Sequence, residues 1–149
     1  MKENGIKRFN NAQDRMNSYA TALQEIRNGR KRSHWIWYVF PQISGLGYSL
    51  MSRKYAIRSL NEAKAFLEDE TLGKRLREIT EALLSHSDKD IVEILGKIDA
   101  IKVRSCMTLF DIVSPHDIFN NVLERFYDGR RCEHTVEAIN TSLSTNNEI

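Results

Sequence analysis

Apolar side chains recur along this chain in steps of three and four residues, and that spacing leaves room for little but helices. Phe9, Ala12, Met16, Tyr19, Leu23 and Ile26 fall on one stripe, which predicts a single helix ended by Asn28-Gly29. Ser59 followed by Glu62 has the form of a capping box opening a helix with Leu60, Ala63 and Leu67 inside, and Leu72, Leu76, Ile79 and Leu83 repeat the pattern after Thr71. Asp88 or Asp90 is placed to cap a short helix through Leu95 that Gly96 stops. Asp99 is placed to cap the next, with Val103, Cys106, Phe110 and Val113 on one face. Ser114-Pro115 restarts the chain, with proline at the first helical position, Ile118, Val122 and Phe126 on one face, and a stop at Gly129. Val136, Ile139 and Leu143 suggest one or two further turns.

One segment has no such period. Ser33-His34-Trp35-Ile36-Trp37-Tyr38-Val39-Phe40-Pro41-Gln42 holds both tryptophans of the chain, and its residue types favour strands by propensity. No other segment alternates in a way that would supply a partner strand, so the run is expected to form a short buried helix between Ser33 and Pro41. The fold class that follows is all-α: a single-domain multihelical bundle of about seven helices with a buried aromatic segment. The helical domain is expected over residues 6–140, with residues 1–5 and 141–149 as frayed or disordered ends.

A chain of 149 residues can bury a core of its own, so no disulfide framework is needed. Cys106 and Cys132 lie in no Cys-x-x-Cys pattern, which suits free thiols in a reducing compartment. Nothing near Met1 has the form of a leader, and no apolar run approaches the roughly 20 residues of a membrane helix, so the expected setting is the cytoplasm. A net charge of +2 gives no bulk argument for nucleic acid, which would need a local patch.

From Lys7 to about Ile139 the sequence resembles the bacterial domain-of-unknown-function family 1810. The resemblance is carried by Arg8-Phe9 with Ala12-Gln13, by Ser33-His34-Trp35 through Phe40-Pro41-Gln42, and by Gly45-Leu46-Gly47 with Ser49 and Tyr55. Leu72-Gly73 with Arg75-Leu76, and Asp99 through Ser105-Cys106-Met107-Thr108-Leu109-Phe110, complete it. Ile36 stands where the family pattern has methionine, and Cys106 where it has a second serine. The resemblance implies a small multihelical single-domain protein and brings no reaction, substrate or catalytic residue. Members sometimes carry a calpastatin-like label, but an inhibitor of that kind is a disordered chain, whereas 41% hydrophobic residues in helical stripes predict a folded core.

Candidate chemistry gathers at two places. In the helix after Asp99, Arg104, Ser105, Thr108 and Asp111 share a polar arc, while Lys102 falls among apolar neighbours one turn from Ser105 and about one turn from Asp99. Lys102 therefore either snorkels or pairs with Asp99, or else meets an anion in a polar hollow. His34 stands at the start of the aromatic run, beside Arg30, Lys31 and Arg32, and Gly45-Leu46-Gly47 permits close backbone approach with Ser49 and Ser52 nearby. Trp35, Trp37, Tyr38 and Phe40 read mainly as core, with one indole left to face a pocket. His86, His116 and His134 are dispersed and show no zinc spacing, so neither metal nor other cofactor is expected. Cys106 reads as a packed hydrophobe, and Cys132, among Arg130, Arg131 and His134, lacks an oriented partner.

The leading expectation is a pocket protein, with turnover of the ligand left open, that holds a small anionic or phosphorylated metabolite with His34, Trp35, Gln42, Ser49, Lys102 and Ser105. This requires the loop after Pro41 to fold against the helix after Asp99, and His34 and Lys102 to share a cleft. One alternative is a helical interaction module or homo-oligomer without chemistry. A less favoured one is single-stranded nucleic-acid binding, which needs Trp35 or Trp37 exposed as a stacking platform.

Overall fold

The computed structural model describes residues 5–146, with side chains as far as Thr141, so residues 1–4 and 147–149 of the expected frayed ends lie outside the described residues, whereas residues 141–146 continue the last helix. Among the described residues the chain is all-α and a single domain, with ten α-helical segments and one isolated parallel bridge between Ile43 and Ile57. The surplus over about seven comes from a break in the first helix and a short helix after Ser49.

That break replaces one expected helix by α1 (Lys7–Asp14) and α2 (Ser18–Arg27), joined by a 3-10 turn at Arg15–Asn17. Met16 and Asn17 both take left-handed backbone, φ 52° and 57°, and the Met16 side chain is 89% exposed instead of lying on the stripe. Two such residues cost about 1–3 kcal/mol each. Contacts on either side outweigh that cost. Gln13 donates to the Tyr38 carbonyl at 2.8 Å and accepts from Arg75 at 3.2 Å, while the Tyr19 hydroxyl donates to the Arg75 carbonyl and Glu78 at 2.9 and 2.8 Å.

The aromatic run forms α3 (Ile36–Val39), a single turn, followed by α4 (Leu50–Lys54), α5 (Leu60–Glu68) and α6 (Glu70–Leu84). Ser59 accepts from the Glu62 N–H as expected, but the Glu62 carboxylate reaches Arg8 and the Arg58 N–H, so only half of the capping box is present. Asp90, with Glu93, makes a full capping box for α7 (Ile91–Leu95). Gly96, at φ 87°, then starts α8 (Lys97–Val113) directly, which leaves Asp99 inside that helix rather than capping it. Pro115 precedes α9 (Ile118–Tyr127) instead of opening it, because Asp117 caps that helix and is itself held by the Ser114 hydroxyl at 2.8 Å. The last helix, α10 (Glu133–Asn146), runs longer than one or two turns.

α8 is the axis of the bundle, with α5, α7, α9 and α10 packed against it. Ser105, Thr108 and Asp111 of its polar arc are buried, because the 130–132 loop and α10 cover them. Ser105 Oγ meets Thr135 Oγ1 at 2.7 Å, the Cys132 N–H donates to Thr108 Oγ1 at 2.9 Å, and Arg131 donates to Asp111 at 2.6 Å. Through the core runs an unbroken series of rings, Tyr38, Tyr55, Phe9, Phe66, Phe110 and Phe119, with successive centroids 5.1 to 5.9 Å apart. No helix among the described residues is long and apolar enough to cross a membrane.

Candidate functional site

Two backbone hydrogen bonds fold the loop after Pro41 back on itself. Ile57 N–H donates to the Gln42 carbonyl and Ser44 N–H to the Ile57 carbonyl, both at 2.8 Å. The loop so closed forms one wall of a cleft of about 170 Å³, and Lys102 reaches it from α8. The expected approach of the 42–47 loop to the helix carrying Lys102 is therefore observed. Gln42, Gly45, Leu46, Gly47 and Lys102 line the cleft, with Ile36, Trp37 and Phe40 as its apolar side. Gly47 lies so close to α4 that a Cβ there would stand 2.6 Å from Ser52 Oγ.

Other expected site residues lie elsewhere. His34 is exposed and lines a separate cleft of about 470 Å³ with Arg15, Ser18 and Tyr38, Tyr55 being the side chain the two clefts share. The expected convergence of His34 with Lys102 does not occur. The helix begins at Ile36, two residues beyond His34, which turns that side chain to the α1–α2 break. Trp35 is buried, and its indole N–H donates to Glu25 at 2.9 Å. Ser49 caps α4 by accepting from the Ser52 N–H, and Ser105 is sealed under Thr135. Cys106 is fully buried, and burial pushes its thiol pKa well up, in keeping with a packed hydrophobe.

Two cations that the sequence reading passed over complete the cleft: Arg53, at the end of α4, and Arg58, just after the bridge. The available signal was a pair of arginines closely following the glycine loop. No carboxylate lines the cleft. The two nearest are engaged from behind. Asp99 pairs with Lys31 at 2.9 Å and stands 4.0 Å from Lys102, whose ammonium lies 5.5 Å from the Trp37 ring centroid. Glu62 is held by buried Arg8 at 2.9 Å. Burial raises the Glu62 pKa, but the Arg8 hydrogen bonds, the Arg58 N–H and the charge of both arginines outweigh it and bring the group below the usual glutamate range.

Glu25 on α2 was likewise not anticipated, and it fixes the entry to α3. Its carboxylate accepts from the N–H groups of Arg32 and Ser33, the Ser33 hydroxyl and the Trp35 indole at 2.5 to 2.9 Å. Burial pushes its pKa up, and these four bonds more than reverse that, to about 2. A folded-state pKa below the ordinary value of about 4.3 gives stability that is present above that value and lost as pH falls toward 2. Glu25→Gln is therefore expected to be less stable than the parent at pH 7, with a shallower loss between pH 5 and 2, as read by urea unfolding across that range.

The fold and cleft define a small all-α single-domain protein with a cationic hollow beside a half-exposed tryptophan. The chain belongs to the family described as protein of unknown function (DUF1810), whose model matches residues 3–139. It is similar to the conserved hypothetical protein Rv1873 from Mycobacterium tuberculosis, with 40% identity over 91% of this chain and 96% of that one, and a TM-score of 0.87. Among curated proteins none matches.

Proposed function

We propose that this is a cytoplasmic bacterial protein that binds a small anionic metabolite in the cleft between the 42–47 loop and Lys102. The observation that carries the reading is the charge of the lining: Arg53, Arg58 and Lys102 with no carboxylate among them. Lys31 and Arg8, placed behind the cleft, engage Asp99 and Glu62, so those acids neutralise the lining cations only in part. Cations held together in a partly enclosed hollow favour an anion over water. The free state of Cys106 and Cys132 supports the cytoplasmic part of the reading.

In a thermal-shift panel of sugar phosphates, carboxylates and nucleotides, a true ligand at a hundred times its Kd stabilises by about 2.7 kcal/mol. For a chain of this size that raises Tm by roughly 5–10 °C. Lys102→Ala is expected to abolish the shift while melting near the parent unliganded, since Lys102 is half-exposed. A panel that leaves Tm unchanged throughout would count against the proposal.

A second reading, self-association without chemistry, draws support from Ile98 and Ile101, which are 69% and 65% exposed on α8. It predicts a dimer in light scattering that Ile98→Lys with Ile101→Lys converts to monomer. Nucleic-acid binding has less support, because Trp35 is buried and Trp37 is half-buried near Lys102.

A further inference from the structure

The anion site described above has features that narrow its ligand to one chemical class. The N–H groups of Gly45, Leu46 and Gly47, residues that line the cleft, form no hydrogen bond among the described residues, although that of Ser44 just before them is paired. A run of consecutive unpaired N–H groups in a glycine loop is suited to the several oxygens of a phosphoryl group, more than to the two of a carboxylate. Gly45, at φ +97°, permits the turn, and Gly47 leaves no room for a side chain against Ser52.

Charge points the same way. Arg53 donates from Nε to the Tyr48 carbonyl at 3.1 Å, which ties a lining cation to the loop, and it has no carboxylate partner among the described residues. With Lys102 and Arg58 also on the lining, the cationic excess suits a dianion better than a monoanion.

Size sets the other limit. The hollow offers about 170 Å³ to water-sized molecules and opens to solvent on one side. A phosphoryl group held at the loop places a short organic body beside Ile36, Trp37 and Phe40, the apolar side of the hollow. The Gln42 side-chain amide, which forms no hydrogen bond among the described residues, remains available to a hydroxyl on that body.

Resting on the anion-binding reading, we infer that the cleft takes a compact phosphate monoester, its phosphoryl group on the 45–47 loop with Arg53, Arg58 and Lys102. The test is calorimetric titration of the intact protein with three probes: glycerol 3-phosphate, glycerate and AMP. Glycerol 3-phosphate is expected to bind about tenfold or more tighter than either of the others, and Arg53→Met to weaken it by about tenfold through loss of one charged hydrogen-bond donor. Because Arg53 is exposed, the variant should melt as the parent does, which separates lost binding from lost folding. Glycerate binding as tightly as glycerol 3-phosphate would overturn the phosphoryl assignment and leave the anion site standing. AMP binding as tightly would overturn the size limit. Binding of none of the three would overturn this inference and the anion reading together.

Discussion

An Arg8→Met protein is expected to lose about 3–5 kcal/mol of stability, the cost of removing one partner from a buried ion pair. A domain of this kind has only about 5–15 kcal/mol in total, so the variant should be largely unfolded in mild urea. Arg8 is 3% exposed, and its guanidinium makes five hydrogen bonds that no other donor can replace. It donates twice to Glu62, at 2.9 and 3.1 Å, and also to the Lys54, Ala56 and Gly5 carbonyls. The contacts to Lys54 and Ala56 pin the 54–58 segment, part of which lines the cleft. Arg8→Met with Glu62→Leu should recover part of the loss by removing the stranded carboxylate, but not all of it, because the carbonyls remain without a donor. The sign with pH is equally definite. Glu62 titrates below its ordinary value in the folded protein, so the parent should lose stability as pH falls below about 4.3. Arg8→Met should lose little over the same window. Equal urea midpoints for parent and Arg8→Met at pH 7 would contradict the account.

Gly73→Ala should cost about 3 kcal/mol, the upper part of the range for overpacking, although helix propensity alone predicts a gain. A Cβ at this position would lie 2.0 Å from the Leu67 carbonyl oxygen, where α5 gives way to α6. Both are backbone positions. Asp69, which ends α5 and caps α6 by accepting from Thr71 and Leu72 at 3.2 and 2.9 Å, leaves the helices no slack to separate. The neighbouring Lys74→Ala, on the exposed side, should change stability by no more than about 0.5 kcal/mol. Similar unfolding midpoints for the two variants would mean that the close approach does not exist in solution.

Local periodicity carried much of this fold and little of its long-range order. Stops such as Gly96 and Gly129, and a cap at Asp88 or Asp90, were legible because each acts within one turn. The break at Met16 was not, since both residues fit a continuous stripe and what opposes it is Gln13 and Tyr19 meeting groups far along the chain. Ser105, Thr108 and Asp111 were legible only as a shared polar arc, not as a buried seam, for a related reason: Thr135, which seals Ser105, lies thirty residues later. At the site, Lys102 was legible as a cation among apolar neighbours and the glycine loop as a place of close backbone approach, and both line the cleft. His34 was misplaced by assuming that its helix began at Ser33. Arg53 and Arg58 were missed because exposed arginines on a short helix and a loop have no sequence mark until a bridge such as Ile43–Ile57 folds them inward.

The most direct test is a crystal structure of the parent protein grown with glycerol 3-phosphate. The account predicts a phosphoryl group within hydrogen-bond reach of Arg53, Arg58 and Lys102, seated on the 45–47 loop. Ligand bound instead beside His34 and Arg15, with the Lys102 cleft holding only solvent, would contradict it.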